Sequence, residues 1–289
     1  MNITMNNYRQ KFPRHGWIGL VLVIAGWLLN WLLPGLRTHI FFFPMWLGYC
    51  LTIDALVFMR KGTSLYTRST GKYIGLFVIS APAWWLFELI NLRTQNWLYE
   101  GRELFTNLEY TIFATLSFST VIPAVFGTAE LITTFKWFNK VKKAPGVLPK
   151  TSTLIGYFIC GWTMLTLLII WPRYFFPFVW LSVWFILEPL NAWFKNRSLL
   201  NHKTRLHWRS VLALWLGCLI CGFFWEMWNF YSFPKWIYDV PYVGFWHVFE
   251  MPVLGYLGYL PFSLELFALY HLIMGFFRPG AAQDYVQVE

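Results

Sequence analysis

Long apolar runs, separated by short polar stretches, set the rhythm of this chain. They cover about 17–33, 41–59, 73–92, 108–135, 153–171, 175–194, 209–230 and 245–277. A helix needs roughly 20 apolar residues to cross the hydrocarbon layer of a bilayer, so the pattern predicts about eight transmembrane helices, four in each half. The last run of each four is over-long and carries an internal proline, Pro123 or Pro261. That predicts a kinked helix or a re-entrant piece followed by a helix.

The polar interruptions repeat along with the apolar runs. Phe43–Asp54 (FPMWLGYCLTID) returns as Pro177–Glu188 (PFVWLSVWFILE), and Phe87-Glu88-Leu89-Ile90-Asn91 returns as Trp225-Glu226-Met227-Trp228-Asn229. After each Glu-x-x-Asn stands a Trp-x-Tyr-acid element, Trp97, Tyr99 and Glu100 in the first copy and Trp236, Tyr238 and Asp239 in the second. Ten of the thirteen acidic residues fall into five matched pairs: Asp54/Glu188, Glu88/Glu226, Glu100/Asp239, Glu109/Glu250 and Glu130/Glu265. The expected fold is an all-α polytopic membrane protein of two parallel four-helix repeats. The repeats are 15–137 and 152–278, joined by a basic linker over 138–151.

Composition supports lipid as the solvent: 57% of residues are hydrophobic, 22% aromatic and only 12% charged, too little polarity to cover a water-soluble domain. The Lys and Arg residues lie in loops or at segment ends and alternate in density. The stretch before the first segment and the loops at 60–72, 136–150 and 195–209 are strongly basic, whereas the intervening loops are not. The positive-inside bias then places both chain ends in the cytoplasm of a multi-pass, bacterial inner-membrane protein, and an even number of spans per copy makes the repeats parallel. A net charge of +10 reads as topology and contact with anionic lipids at the cytoplasmic face, not as nucleic-acid binding. No cleavable signal is evident. The four cysteines lie within apolar runs and predict no disulfide framework, and Cys218-x-x-Cys221 reads as small residues permitting close helix packing.

Candidate chemistry concentrates where acids meet aromatics. Glu88/Asn91 and Glu226/Asn229 each set a carboxyl and an amide one turn apart on a helix face, with no Lys or Arg in those helix cores. A carboxylic acid kept neutral in such a place can serve as a general acid, with Asn229 orienting Glu226. The same pairs would equally serve as interhelical hydrogen-bonding glue. Trp225, Trp228, Trp236 and Tyr238, with Trp97 and Tyr99 from the first copy, are candidate pocket walls, because aromatic faces stabilise cationic intermediates. Glu250 and Glu265 are candidate supporting acids, and Glu188 a candidate substrate contact. His247 and Glu250 are three apart, but the first copy has Thr106 at the matching place, so no dinuclear metal centre is expected. No Walker motif, dinucleotide fingerprint, His-rich desaturase box, nucleophile elbow or Asp-rich prenyl-diphosphate motif is present, and neither metal nor cofactor is predicted.

Trp225-Glu226, Trp236-Ile237-Tyr238 and the stretch from Leu260-Pro261 to Glu265-Leu266-Phe267 resemble the integral-membrane lycopene cyclases and related carotenoid-biosynthesis membrane proteins. That family carries a Trp-Asp motif, a Trp-x-aromatic element and a Pro-x-Glu-Glu box on small duplicated helical halves; here the acid is Glu and the tandem Glu-Glu is missing. The resemblance covers mainly 222–270 and implies a cofactor-free cyclase or isomerase acting on an isoprenoid or other lipid-like substrate, Glu226 being the proton donor. Two other readings of the same acids stand beside it. One is a secondary transporter or channel in which they carry protons or cations. The other is a non-catalytic lipid-binding or scaffold protein.

Overall fold

A computed structural model describes residues 10–141, 150–200, 208–277 and 284–289. The first half runs α1 (Arg14–Leu32), α2 (Thr38–Lys61), α3 (Leu65–Arg68), α4 (Thr70–Thr94), β1 (Trp97–Glu100), α5 (Asn107–Phe118) and α6 (Val121–Thr133). The second runs α7 (Thr151–Ile170), α8 (Pro172–Phe175), α9 (Ser182–Trp193), α10 (Trp208–Phe230), β2 (Lys235–Tyr238), β3 (His247–Val248), β4 (Met251–Pro252) and α11 (Tyr259–Phe277). Among the described residues seven helices are long and apolar enough to cross a membrane, or eight if one bent pair counts as a span. This is a multi-pass membrane architecture.

Three of the predicted runs are not simple helices. The run at 175–194 breaks into α8, a 3-10 stretch Phe176–Trp180 and α9, with a bend of 40°. Pro177 lies in the 3-10 stretch, and its missing N–H and fixed φ interrupt the helical ladder. The run at 108–135 is divided between Phe118 and Val121. Ser80 of α4 reaches into that gap, donating to the carbonyl of Phe118 at 2.6 Å and accepting from the N–H of Ile122 at 3.0 Å, so the break is satisfied by a side chain from a neighbouring helix. Pro123 sits inside the first turn of α6, where its absent N–H costs nothing. In the run at 245–277, residues before Val253 form the short β3–β4 hairpin instead of helix, and a 3-10 turn at Val253–Gly258 leads into α11.

Close approach of backbones holds the bundle together. A Cβ on Gly217 of α10 would come 2.7 Å from the amide nitrogen of Ala129 in α6, and one on Gly19 of α1 would come 2.7 Å from the carbonyl of Gly48 in α2. Small residues at these crossings let dispersion act over the full helix face, the main attraction available between helices in lipid. Cys218 and Cys221 are both buried free thiols on α10, Cys221 beside Tyr49 and Thr128. That agrees with a packing role for the Cys-x-x-Cys pair.

The two Trp-x-Tyr elements pair with each other, which the helical pattern does not foretell. β1 and β2 form an antiparallel ribbon with Trp97 opposite Tyr238, Leu98 opposite Ile237, Tyr99 opposite Trp236 and Glu100 opposite Lys235. Side chains alternate faces along a strand, so Trp97, Tyr99, Trp236 and Tyr238 share one face.

At the opposite end of the bundle, basic side chains tie the loops together. Arg60 donates to Thr134, Arg209 to Asn139, and Lys61 to Gln287. Arg68 pairs with the fully buried Glu130 and donates to the carbonyl of Tyr285, while Arg197 donates to the carbonyl of Val286. Tyr285, Val286 and Val288 are buried between these groups. Asp54 and Glu188 serve the same end in matching ways. Asp54 accepts from Ser64 Oγ at 2.7 Å and the N–H of Tyr66 at 2.9 Å; Glu188 accepts from Ser198 Oγ at 2.8 Å and the N–H of Leu200 at 2.8 Å. Each acid thus fastens the loop that follows its own helix.

Candidate functional site

The site grows from two asparagines. Asn91, near the end of α4, donates to the carbonyl of Trp97 at 2.8 Å and accepts from the N–H of Asn96 at 2.9 Å. Asn229, near the end of α10, donates to the carbonyl of Trp236 at 2.7 Å and accepts from the N–H of the same residue at 2.9 Å. Both amides therefore clamp a ribbon strand to its parent helix. Asn229 was expected to orient Glu226; it binds the Trp236 backbone instead, because the strand presents a matched donor and acceptor to a planar amide.

With the strands clamped, the ribbon's aromatic face lies against the two glutamates. Glu88 Oε1 accepts three hydrogen bonds, from Trp84 Nε1 at 2.9 Å, Trp97 Nε1 at 3.0 Å and Tyr99 Oη at 2.5 Å. Glu226 Oε1 accepts two, from Tyr238 Oη and Tyr259 Oη, both at 2.7 Å. Its second oxygen, Oε2, is buried and has no hydrogen-bond partner. Burial, followed by the neighbouring carboxyl, drives the Tyr99 and Tyr238 phenols well above the usual tyrosine range, so both stay protonated and donating.

Against this aromatic layer opens a cavity of about 490 Å³. Its walls come from α2, α4, α5, the β1–β2 ribbon, the 3-10 stretch at Phe176–Trp180, α10 and α11, so both halves of the chain enclose it. Fifteen of its thirty-five lining residues are Phe, Trp or Tyr, and Glu226 is the one carboxylate among them. A pocket so lined takes a largely apolar ligand and offers it one carboxyl, at Glu226, with Thr38, His39 and Arg102 also in the wall.

The other predicted site residues distribute unevenly around this cavity. Trp225, Trp236, Tyr238, Trp97 and Tyr99 line it. Trp228 packs behind the wall on Trp46, with ring centroids 5.0 Å apart. Glu88 lies behind Trp84, Trp97 and Tyr99, which line the cavity and donate to it. Glu250 forms an ion pair with Lys235 at 2.5 Å. Glu188 is spent on Ser198 and Leu200, so it does not touch the pocket that holds Glu226. Glu265 is fully buried, one turn beyond the lining residues Pro261 and Phe262 and against the first turn of α9 at Val183 and Trp184, without completing a hydrogen bond to either. Nor are Glu130 and Glu265 equivalent: they follow Pro123 and Pro261 by seven and four residues respectively, and only Glu130 has a cationic partner.

Three positions of the candidate site escape a reading of the sequence. Tyr259 reaches Glu226 across 33 residues, with no local spacing to announce it. Thr38 and His39, at the start of α2, line the cavity and carry buried, unpartnered Oγ1 and Nδ1 atoms; no repeat marks them. Among the described residues no three His, Cys, Asp or Glu side chains come together as a metal-holding group. Compared with protein-family models, curated proteins and solved structures, the chain gives no match.

Proposed function

We propose that this protein is a membrane-embedded acid–base enzyme, a cyclase or isomerase that acts on an isoprenoid or other lipid-like substrate within the aromatic cavity. One observation carries the reading: Glu226 is the single carboxylate of that cavity, with Oε1 fixed by two tyrosine hydroxyls and Oε2 left unpartnered. Two phenol donors make Oε1 the carbonyl-like oxygen, so the proton of the neutral acid belongs on Oε2. Donation from Oε2 to one carbon of an alkene leaves a cation on the other, over which the faces of Trp225, Trp236 and Phe262 spread stabilising negative potential. A second double bond then attacks the cation, or a neighbouring C–H yields its electrons. In either case a proton returns to the carboxylate, so the acid is regenerated and no net oxidation occurs. The short motifs that resemble the membrane lycopene cyclases fall on the same residues, Glu226, Trp236 and Tyr238.

Two parallel four-helix repeats, 15–137 and 152–278, account for the matched contacts. Asp54 and Glu188 each bind a serine ten residues on and an N–H twelve residues on; Asn91 and Asn229 each clamp the tryptophan of their own copy. The ribbon register maps onto itself when the copies are exchanged about Leu98 and Ile237, which is the behaviour of a pseudo-two-fold axis. With the basic loops cytoplasmic, the cavity opens toward the opposite leaflet. Transport by the paired acids finds less support, because Asp54, Glu188 and Glu130 are each engaged in fastening loops.

Glu226→Gln tests the reading. The amide keeps shape and hydrogen bonding but has no proton of suitable acidity, so lipid extracts from cells carrying it should match those of cells lacking the gene, while yield and thermal stability stay near the parent's. Undiminished lipid conversion by this variant would remove Glu226 as donor.

A further inference from the structure

The cavity has a second, polar end that the acid chemistry does not use. α2 begins at its wall: Thr38 and His39 line it, and the N–H groups of Arg37 and Thr38 both donate to the carbonyl of Phe233, which anchors the start of the helix beside the ribbon. The 24 residues of α2 direct the positive end of their aligned peptide dipoles toward that point. Thr38 is only 9% exposed, and its Oγ1 has no partner. His39 lies edge-on between Phe105 and Phe113, at ring distances of 5.1 and 4.8 Å, and its Nδ1 is buried and unpartnered. Arg102, another lining residue, donates to the carbonyl of that same Phe105 at 3.0 Å and to Asn107 Oδ1 at 2.5 Å, and stacks over Tyr110. Among the carboxylates nearby, Glu250 is taken up by Lys235, and Glu109 closes the capping box at the start of α5 through Thr106. A hydroxyl without a partner, a histidine without a partner, an arginine and a helix N-terminus thus converge on one end of an otherwise apolar cavity.

We infer that the cavity takes a single-chain amphiphile with an anionic head, a carboxylate or a phosphate, seated at Thr38, His39 and Arg102, its unsaturated chain running to Glu226. Aromatic side chains run between the two ends: Phe42 meets Trp236 at 5.9 Å, and Trp225 is backed by the buried Trp46 at 5.2 Å. Eight residues of α2 separate Thr38 from Trp46, a rise of about 12 Å. The reacting carbons therefore lie roughly that far from the head. A cavity of about 490 Å³ is in the range that encloses such a ligand. The assignment rests on the cavity proposed above as a lipid site, but it excludes a substrate that is hydrocarbon throughout, because burying such a chain would leave Thr38 and His39 without partners.

The test uses the full chain in detergent, with energy transfer from tryptophan to a long-chain conjugated polyene fatty acid as the binding signal. The alcohol of identical chain and inorganic phosphate are the comparisons. Expected is at least tenfold tighter binding of the acid than of the alcohol, as charge-assisted hydrogen bonds imply, with phosphate alone competing weakly. The double variant Thr38→Val/Arg102→Gln should lose that preference while still binding the alcohol, which also shows that it is folded. Equal affinity of acid and alcohol for the parent protein would overturn the inference, as would a preference that survives in the double variant. Full competition by phosphate alone would overturn the amphiphile in favour of a simple anion site. Glu226→Gln should keep the preference, so loss of the preference condemns the head site, whereas lipid conversion by Glu226→Gln condemns only the acid chemistry.

Discussion

At the scale of single residues, what separates Glu88 from Glu226 is their place relative to the cavity. Glu88 accepts from three side chains and stays outside the lining, whereas Glu226 lines the cavity and has a buried Oε2 without a hydrogen-bond partner. Glu88→Ala should therefore lower stability by about 1–3 kcal/mol, as three donors lose their shared acceptor, and under the proposed chemistry leave product identity unchanged; a clean loss of turnover at full stability would contradict this. Under the proposed chemistry Asn229→Ala should act differently again, loosening the β2 strand and lowering substrate affinity more than the rate of chemistry, as separate binding and single-turnover measurements would show. The phenols of Tyr99 and Tyr238 add a pH dependence. Their raised values in the fold mean that their contribution to stability is complete below the ordinary tyrosine value of about 10 and is lost as pH climbs toward the folded values. A spectrophotometric titration should leave both un-ionised where exposed tyrosines ionise, and simultaneous ionisation would contradict their burial. The sequence marks Glu226, Trp236 and Tyr238 through their repetition. It is silent on Tyr259 and Thr38, whose importance arises from neighbours far away in the chain and from a partner left missing.

Among the helices and strands, hydropathy locates the membrane segments well because lipid imposes length and apolarity on each separately. Breaks within them are less visible. Pro177 coincides with one, but the division between α5 and α6 depends on Ser80 of another helix. Ser80→Ala should leave the N–H of Ile122 and the carbonyl of Phe118 unsatisfied and destabilise the bundle by about 1–3 kcal/mol, an effect that a thermal-unfolding series in detergent would register. Unchanged stability would mean that the break closes without its serine. Gly217→Val tests the α6–α10 crossing: the first added carbon would already sit 2.7 Å from a backbone nitrogen, which no side-chain movement relieves. Reduced folded yield is expected, with Gly156→Val, which meets nothing within 4 Å, as the tolerant control. The ribbon is the largest omission from a helical reading, because four-residue strands whose partners lie in different halves carry almost no local signal.

Across the whole molecule, charge separates the two ends. Arg60, Arg68, Arg197 and Arg209 fasten loops and the 284–289 segment at one end, while the ribbon and cavity occupy the other. Cysteine labelling from either side of the membrane should find positions 62 and 195 protected together and position 242 on the opposite face; labelling of 62 and 242 from the same side would refute this division. The buried 285–288 segment adds a further test. Val286→Asp sets a charge where the parent is fully buried, at a cost well above that of docking a short peptide. Hydrogen exchange across 284–289 should then rise sharply, with that around the cavity unchanged.

The ribbon also imposes a schedule on biosynthesis. Trp97–Glu100 emerges early, yet every backbone partner it has in β2 lies about 140 residues later. At a synthesis rate of about 5–20 residues per second, that interval is on the order of ten seconds. Throughout it the first half of the chain must rest in or beside the bilayer with an unpaired strand edge and with one side of the cavity missing. A nascent intermediate of that kind is a natural client for insertion factors or membrane quality control. Its lifetime, more than the stability of the finished bundle, would then govern how much of the protein a cell accumulates.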